Sequence, residues 1–138
     1  MKVLVPDASV LLKWVIPTVE KGHDSAIQVR EAAIAGDVAL VVPPLWLYEV
    51  GNTLARHFPD HAPRLLEALV AFGLVEKPAT KAWREQALAL TREYAVTFYD
   101  AAYHALALVE GGTFVTADGN YVARTQSAGA VMLLGASP

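Results

Sequence analysis

The sequence predicts an α/β domain: a central, mostly parallel sheet with helices on both faces. Two observations carry that prediction. Short apolar runs rich in β-branched residues alternate with longer stretches of helical periodicity along the chain, and parallel strands need such crossover connections. The first run, Lys2-Val-Leu-Val-Pro-Asp7, stops abruptly on a proline and an aspartate, which reads as a strand buried on both faces. A length of 138 residues fits a single domain over 1–138 with enough chain to bury a proper core.

In chain order, residues 3–5 form the first strand, and Ala8-Ser-Val-Leu-Leu-Lys-Trp14 suits a short helix. Residues 20–35 place Ala26, Ile27, Val29, Ala32 and Ala33 at helical spacing and end at Gly36, a common C-terminal stop. Val38–Val42 is the second strand. The helix Leu45–His57 enters through Pro43-Pro44 and ends before Pro59, as proline geometry favours. Ala62–Phe72 follows so closely that the two helices should form an antiparallel hairpin. Then come a strand over 74–76, an amphipathic helix over 80–93, a helix over 100–110, the strand Thr113–Thr116, a helix over 118–127 and a strand over 131–134.

Composition excludes several classes. Apolar residues make up 54% and charged residues 18%, yet the apolar runs are too short and broken for a membrane span. The N-terminus lacks the pattern of a signal peptide. With no cysteine, disulfides and thiolate metal sites are excluded and a cytoplasmic location is the default. A net charge of −3 argues against a simple nucleic-acid-binding surface. If four of the acids gather in one place, however, the remainder of the molecule is close to neutral.

Three aspartates occupy one kind of position. Asp7 follows the first strand, Asp118 follows Thr113–Thr116, and Asp100 follows the run Val96-Thr-Phe-Tyr99; each opens a helix. Taken singly, each reads as an N-cap worth about 1 kcal/mol. Strand ends along one edge of an open α/β sheet are nonetheless where ligands bind. Glu49 differs. It lies in Pro44-Leu-Trp-Leu-Tyr-Glu49-Val-Gly-Asn52, whose first turns are apolar nearly all round and therefore read as mostly buried. No Lys or Arg stands three or four residues away. A buried carboxylate needs a partner, which points to a metal ion or to a neighbouring acid sharing a proton; the competing reading is a surface Glu whose chain snorkels to solvent. A set of carboxylates alone selects hard cations such as magnesium or manganese, and these can support in-line displacement at a phosphodiester. There is no Gly-rich phosphate loop, dinucleotide fingerprint or nucleophile elbow. His57 and His61 flank Pro59 and read as loop residues, and His104 stays outside the catalytic set. Trp14, Trp46 and Trp83 read as core, while Lys13, Arg56, Arg92 and Arg124 are candidates for phosphate contacts.

Val5-Pro-Asp7-Ala-Ser9, Glu49 with Asn52, Tyr99-Asp100-Ala-Ala-Tyr103 with Ala105-Leu-Ala107, and Val115-Thr-Ala-Asp118, in that order, resemble the PIN-domain nucleases. The likeness is greatest to the VapC-type toxins of prokaryotic toxin–antitoxin pairs. It implies a three-layer α/β/α sandwich with a mostly parallel sheet, in which Asp7, Glu49, Asp100 and Asp118 coordinate magnesium or manganese, supported by Ser9, Asn52 and Thr116. It implies also a metal-dependent endoribonuclease that hydrolyses RNA through a metal-activated water, forms a homodimer and is held inactive by a cognate antitoxin. Some relatives carry a further acid shortly after the last motif, where this chain has Gly119-Asn-Tyr121, so one metal or two stays open. Two other readings remain: an RNA-processing nuclease without an antitoxin, and a non-catalytic RNA- or protein-binding module. The intact acid set argues against the latter, and compact size favours the toxin.

Overall fold

In the computed structural model, which describes residues 1–16 and 21–136, five strands lie side by side: β1 (Lys2–Pro6), β2 (Val38–Val42), β3 (Val75–Glu76), β4 (Thr113–Thr116) and β5 (Val131–Leu133). Every pairing is parallel, in the order β3-β2-β1-β4-β5. The helices are α1 (Ala8–Val15), α2 (His23–Ile34), α3 (Leu45–His57), α4 (Ala62–Phe72), α5 (Lys81–Tyr94), α6 (Phe98–Glu110) and α7 (Gly119–Thr125), followed by a 3-10 turn at Gln126–Ala128. From β1 the chain steps outward to β2 and β3, then returns past β1 to β4 and β5. Right-handed crossovers therefore place α1–α4 on one face and α5–α7 on the other. The observed packing agrees: α1 lies against α2, α3 and α4, and α5 against α6 and α7.

β1 is the central strand, and the core is built around it. The C-terminal halves of β1, β2 and β4 are buried (Leu4–Pro6, Leu40–Val42, Phe114–Thr116), whereas the two residues of edge strand β3 are exposed. Pro6 costs the sheet nothing, because pairing of β1 with β2 ends at Leu4 and only the β4 side continues to Pro6. β4 approaches β1 so closely that a Cβ at Gly112 would stand 2.6 Å from the Val3 carbonyl oxygen. Only glycine fits that position. The three tryptophans are core residues, as expected, and each indole N–H finds an acceptor: Ala26 O for Trp14, Glu76 Oε1 for Trp46 and Ala102 O for Trp83.

Several element ends differ from expectation. The strands over 74–76 and 131–134 are each one residue shorter, and the last helix breaks into α7 and the 3-10 turn. The expected start of the second helix at Glu20 lies outside the described residues; the helix observed is His23–Ile34. His57 is the last residue of α3, not a loop residue, because Pro59 stops the helix only after it. Val96–Tyr99 is not strand-like: Thr97 caps a helix that already begins at Phe98. Among the described residues, no helix is long and apolar enough to cross a membrane.

Candidate active site

The strand order reverses between β1 and β4, so their C-terminal ends form the topological switch point of the sheet. Asp7 leaves β1 there and Asp118 leaves β4. A cavity of about 220 Å³ opens at this edge, and Asp7, Glu49, Asp100 and Asp118 all line it. Four carboxylates from four separate stretches of chain are thus brought to one place.

Asp7 and Asp118 are also the caps expected of them: their side chains accept from the backbone N–H of Val10 and Tyr121. Capping and site-building coexist because a carboxylate has lone pairs to spare. Both oxygens of Asp7 accept hydrogen bonds. The Ser9 hydroxyl donates to Asp7 Oδ1 at 2.5 Å and the Thr116 hydroxyl to Oδ2 at 2.6 Å. Each hydroxyl in turn accepts a backbone N–H, Ser9 from Ala117 and Thr116 from Asp118. These two relays stitch the end of β1 to the turn after β4, and the polarity of every bond is set by its N–H and carboxylate ends. Ser9 and Thr116 therefore hold the Asp7 carboxylate in place.

Asp100 is not a cap. It is the third residue of α6, and its own N–H is bonded by the capping Thr97 hydroxyl at 3.0 Å. Its exposed carboxylate lines the cavity instead. α3 differs from the buried helix expected: its core stripe is Trp46, Val50 and Leu54, while Leu47 and Tyr48 face outward, Tyr48 at 72% exposure. Residues four apart share a face, so Glu49 flanks that stripe and is half-buried. Its hydrogen-bond partner is a tyrosine, where the sequence suggests an ion or a second acid. The Tyr103 hydroxyl, from α6, donates to Glu49 Oε1 at 2.5 Å.

Burial raises the Asp7 pKa above the usual carboxylate range, against the lowering effect of its hydrogen bonds. Burial likewise raises Glu49, with the Tyr103 bond opposing and repulsion from Asp7 and Asp100 adding. Among the described residues, no lysine or arginine lines the cavity, so its lining holds carboxylates and no cationic side chain. An all-oxygen donor set of this kind fits a hard divalent cation. As they stand, no three or more histidine or acid side chains among the described residues are disposed to hold an ion.

Asn52 is exposed and does not line the cavity. Two tyrosines that do line it are given no role by the sequence reading. Tyr103 and Tyr121 each stand three residues beyond a site aspartate, a spacing that shares a helix face and is visible in the sequence. His104 stays out of the cavity, fully buried behind Tyr121. Its Nε2 meets the Gly129 carbonyl at 2.8 Å and its Nδ1 the Tyr121 hydroxyl at 2.9 Å. Burial lowers the His104 pKa, so the ring is neutral. Nε2 then carries the proton toward the carbonyl, and the Tyr121 hydroxyl donates to Nδ1. Lys13, Arg56 and Arg92 do not line the cavity, while Arg124 lines a neighbouring one.

Residues 4–126 match the family model described as the PIN domain. The chain is 35% identical over 122 residues to Ribonuclease VapC3 of Pyrobaculum aerophilum, across 83% of this chain and 88% of that one. Among solved structures, the VapBC2 complex of Rickettsia felis, bound to a DNA fragment from its promoter, matches with a TM-score of 0.71 at 13% identity, covering 95% of this chain and 96% of that one. VapC20 of Mycobacterium tuberculosis, a sarcin-ricin loop cleaving toxin, matches with a TM-score of 0.68 at 18% identity, over 93% and 96%. At such identities these two bear on the fold alone. They agree with the α/β/α sandwich expected, its sheet here parallel throughout.

Proposed function

The chain belongs to the PIN-domain family, and on that premise we propose that it is a metal-dependent endoribonuclease acting as the toxin of a toxin–antitoxin pair. The observation that carries the reading is the convergence of Asp7, Glu49, Asp100 and Asp118 on one cavity at the sheet's switch point. Similarity to a VapC ribonuclease over most of the chain supports the reaction class; the antitoxin partner is what the VapC resemblance implies. On this reading residues 1–138 act as one nuclease domain in the cytoplasm, as a homodimer when active.

Asp7, Glu49, Asp100 and Asp118 would hold magnesium or manganese, which supplies Lewis acidity and activates water for attack on a phosphodiester. The chain's own contribution is positioning. Ser9 and Thr116 hold both oxygens of Asp7, and Tyr103 holds one oxygen of Glu49. The exposed carboxylates of Asp100 and Asp118 would be the ion's other ligands. On this reading a metal-activated water attacks, and not a protein group or the RNA 2′-hydroxyl, so products should carry 5′-phosphate and 3′-hydroxyl ends.

The test is RNA cleavage by purified protein with magnesium, with manganese and with chelator, followed by analysis of the product ends. Activity only with the ions, leaving 5′-phosphates, is expected. Cleavage that survives chelator, or that leaves cyclic phosphates, would overturn the metal mechanism.

A further inference from the structure

Beside the acid cavity lies a second one of about 170 Å³ that shares Asp100, Asp118 and Tyr121 with it. The shared residues make the two a continuous trough at the carboxyl edge of the sheet. Arg124 lines the second cavity and is the only lysine or arginine among the described residues to line either. We propose that Arg124 binds the phosphate next to the one being cleaved, so that the RNA strand leaves the acid cavity along α7. This deepens the ribonuclease reading and rests on it.

The geometry of α7 supplies the register. Asp118 caps the helix, Tyr121 stands one turn on, and Arg124 one turn further. Six residues at about 1.5 Å each put Arg124 about 9 Å along the helix from Asp118, a span that its long side chain can shorten to reach a phosphate neighbouring the one at the acids. The guanidinium is held by a single long hydrogen bond, from Nη1 to the Ala95 carbonyl at 3.3 Å. Among the described residues it makes no ion pair, although Asp100 and Asp118 line the same cavity. A guanidinium carries five N–H donors in a planar fork that matches a phosphate bidentately, so most of its donors remain for a ligand. Asn120 and Thr97, also in the lining, add polar groups. A polyanion entering a cavity walled by acids needs one fixed cation, and Arg124 is where the chain places it. The alternative is purely structural: a basic residue in the last turn of α7, favoured by the helix dipole.

Salt dependence separates the two. Binding of a labelled single-stranded RNA oligomer, with calcium in place of magnesium, is measured across salt concentrations for the parent, Arg124→Gln, Arg124→Lys and Arg30→Gln. Arg30 sits on α2 beside Glu31, away from the trough. Losing one phosphate contact on a single strand lowers the slope of log affinity against log salt by about 0.7, which is about fivefold in affinity at 0.1 M salt. Arg124→Gln should show both changes, with a matching rise in KM and little change in kcat for cleavage in manganese. Arg124→Lys should keep the slope and lose only part of the affinity, and Arg30→Gln should match the parent. If Arg124→Gln keeps the parental slope and affinity while the parent cuts RNA, Arg124 is structural and the proposal falls alone. An Arg124→Lys variant as impaired in slope as the glutamine variant also overturns it. A parent that neither binds nor cuts RNA sinks the ribonuclease reading, and this proposal with it.

Discussion

The Tyr103 hydroxyl on α6 donates to Glu49 Oε1 on α3 at 2.5 Å, joining a helix on one face of the sheet to a helix on the other across the site. Tyr103 is itself fixed, buried and stacked 5.8 Å from Phe114 of β4. Glu49, on a half-exposed helix face, takes its only side-chain anchor among the described residues from that hydroxyl. Tyr103→Phe keeps the ring and removes the anchor. Supports of this kind change metal affinity or activity by about 10- to 100-fold. The variant should therefore need more manganese for half-maximal cleavage, while its near-ultraviolet circular dichroism stays parental. An unchanged metal requirement would show that the bond does not position Glu49.

Glu49→Gln asks whether the charge itself is needed. The glutamine keeps the volume and an acceptor for Tyr103, so the fold should hold and cleavage should fall by orders of magnitude. Glu110, in the last turn of α6, pairs with Lys77 at 3.5 Å, outside the acid cavity. Glu110→Gln should retain near-parental activity. Equal cleavage rates for the two variants would remove Glu49 from the metal set.

His104 makes a prediction of opposite pH sense to the acids. Its folded pKa is lowered by burial, so the unfolded chain takes up a proton near the ordinary histidine value of about 6.5 while the folded ring stays neutral. Stability is complete above that pH and is lost as pH falls from it toward the folded value. The melting temperature of His104→Gln, subtracted from that of the parent, should fall between pH 7.5 and 5.5. A flat difference would mean that burial does not shift His104, and a difference that grows as pH falls would mean that the folded ring is charged and that the assigned direction of its bonds to Tyr121 and Gly129 is wrong.

Much of the fold and of the site is legible in the amino-acid sequence, for identifiable reasons. β1 can be placed at the centre because an apolar run ending on Pro6-Asp7 has few other readings. Asp7 and Asp118 can be placed because strand ends bounded by caps leave strong local marks. Asp100 reaches the site through a wrong local picture, a strand end instead of the third residue of α6. The clue is Thr97, three residues earlier, a capping pattern masked by the β-prone Val96 and Phe98. Glu49 stands out in the sequence for lacking a local cation, although its helix is less buried than the apolar run suggests. Its partner Tyr103 is 54 positions distant, and no local pattern encodes such a contact. Asn52 shows the limit of helical spacing: sharing a face with Glu49 does not bring it into the cavity.

The charge gathered around Asp7 should make the metal-free protein less stable as pH rises. Burial raises the folded pKa of Asp7, and burial with repulsion from Asp7 and Asp100 raises that of Glu49. For a raised carboxylate, the contribution to stability is most favourable below the unfolded pKa, about 4, and is lost as pH climbs through the folded one. Manganese offsets that loss by binding the ionised, folded site. Asp7→Asn removes the central charge, but the structure opposes a simple gain. Oδ1 accepts from Ser9 and Val10, which an amide oxygen can still do, whereas Oδ2 accepts from the Thr116 hydroxyl. An amide nitrogen in that place turns Thr116, already an acceptor from Asp118 N–H, into a double acceptor whose own hydrogen loses its partner, at a cost of about 1 kcal/mol. The two effects leave the variant near parental stability at pH 7. What must change is the slope: with chelator present, the melting temperature of Asp7→Asn should decline less than that of the parent between pH 4.5 and 7.5, and manganese should raise it less. A parental slope together with a full manganese response would make Asp7 a structural cap and move the metal site elsewhere.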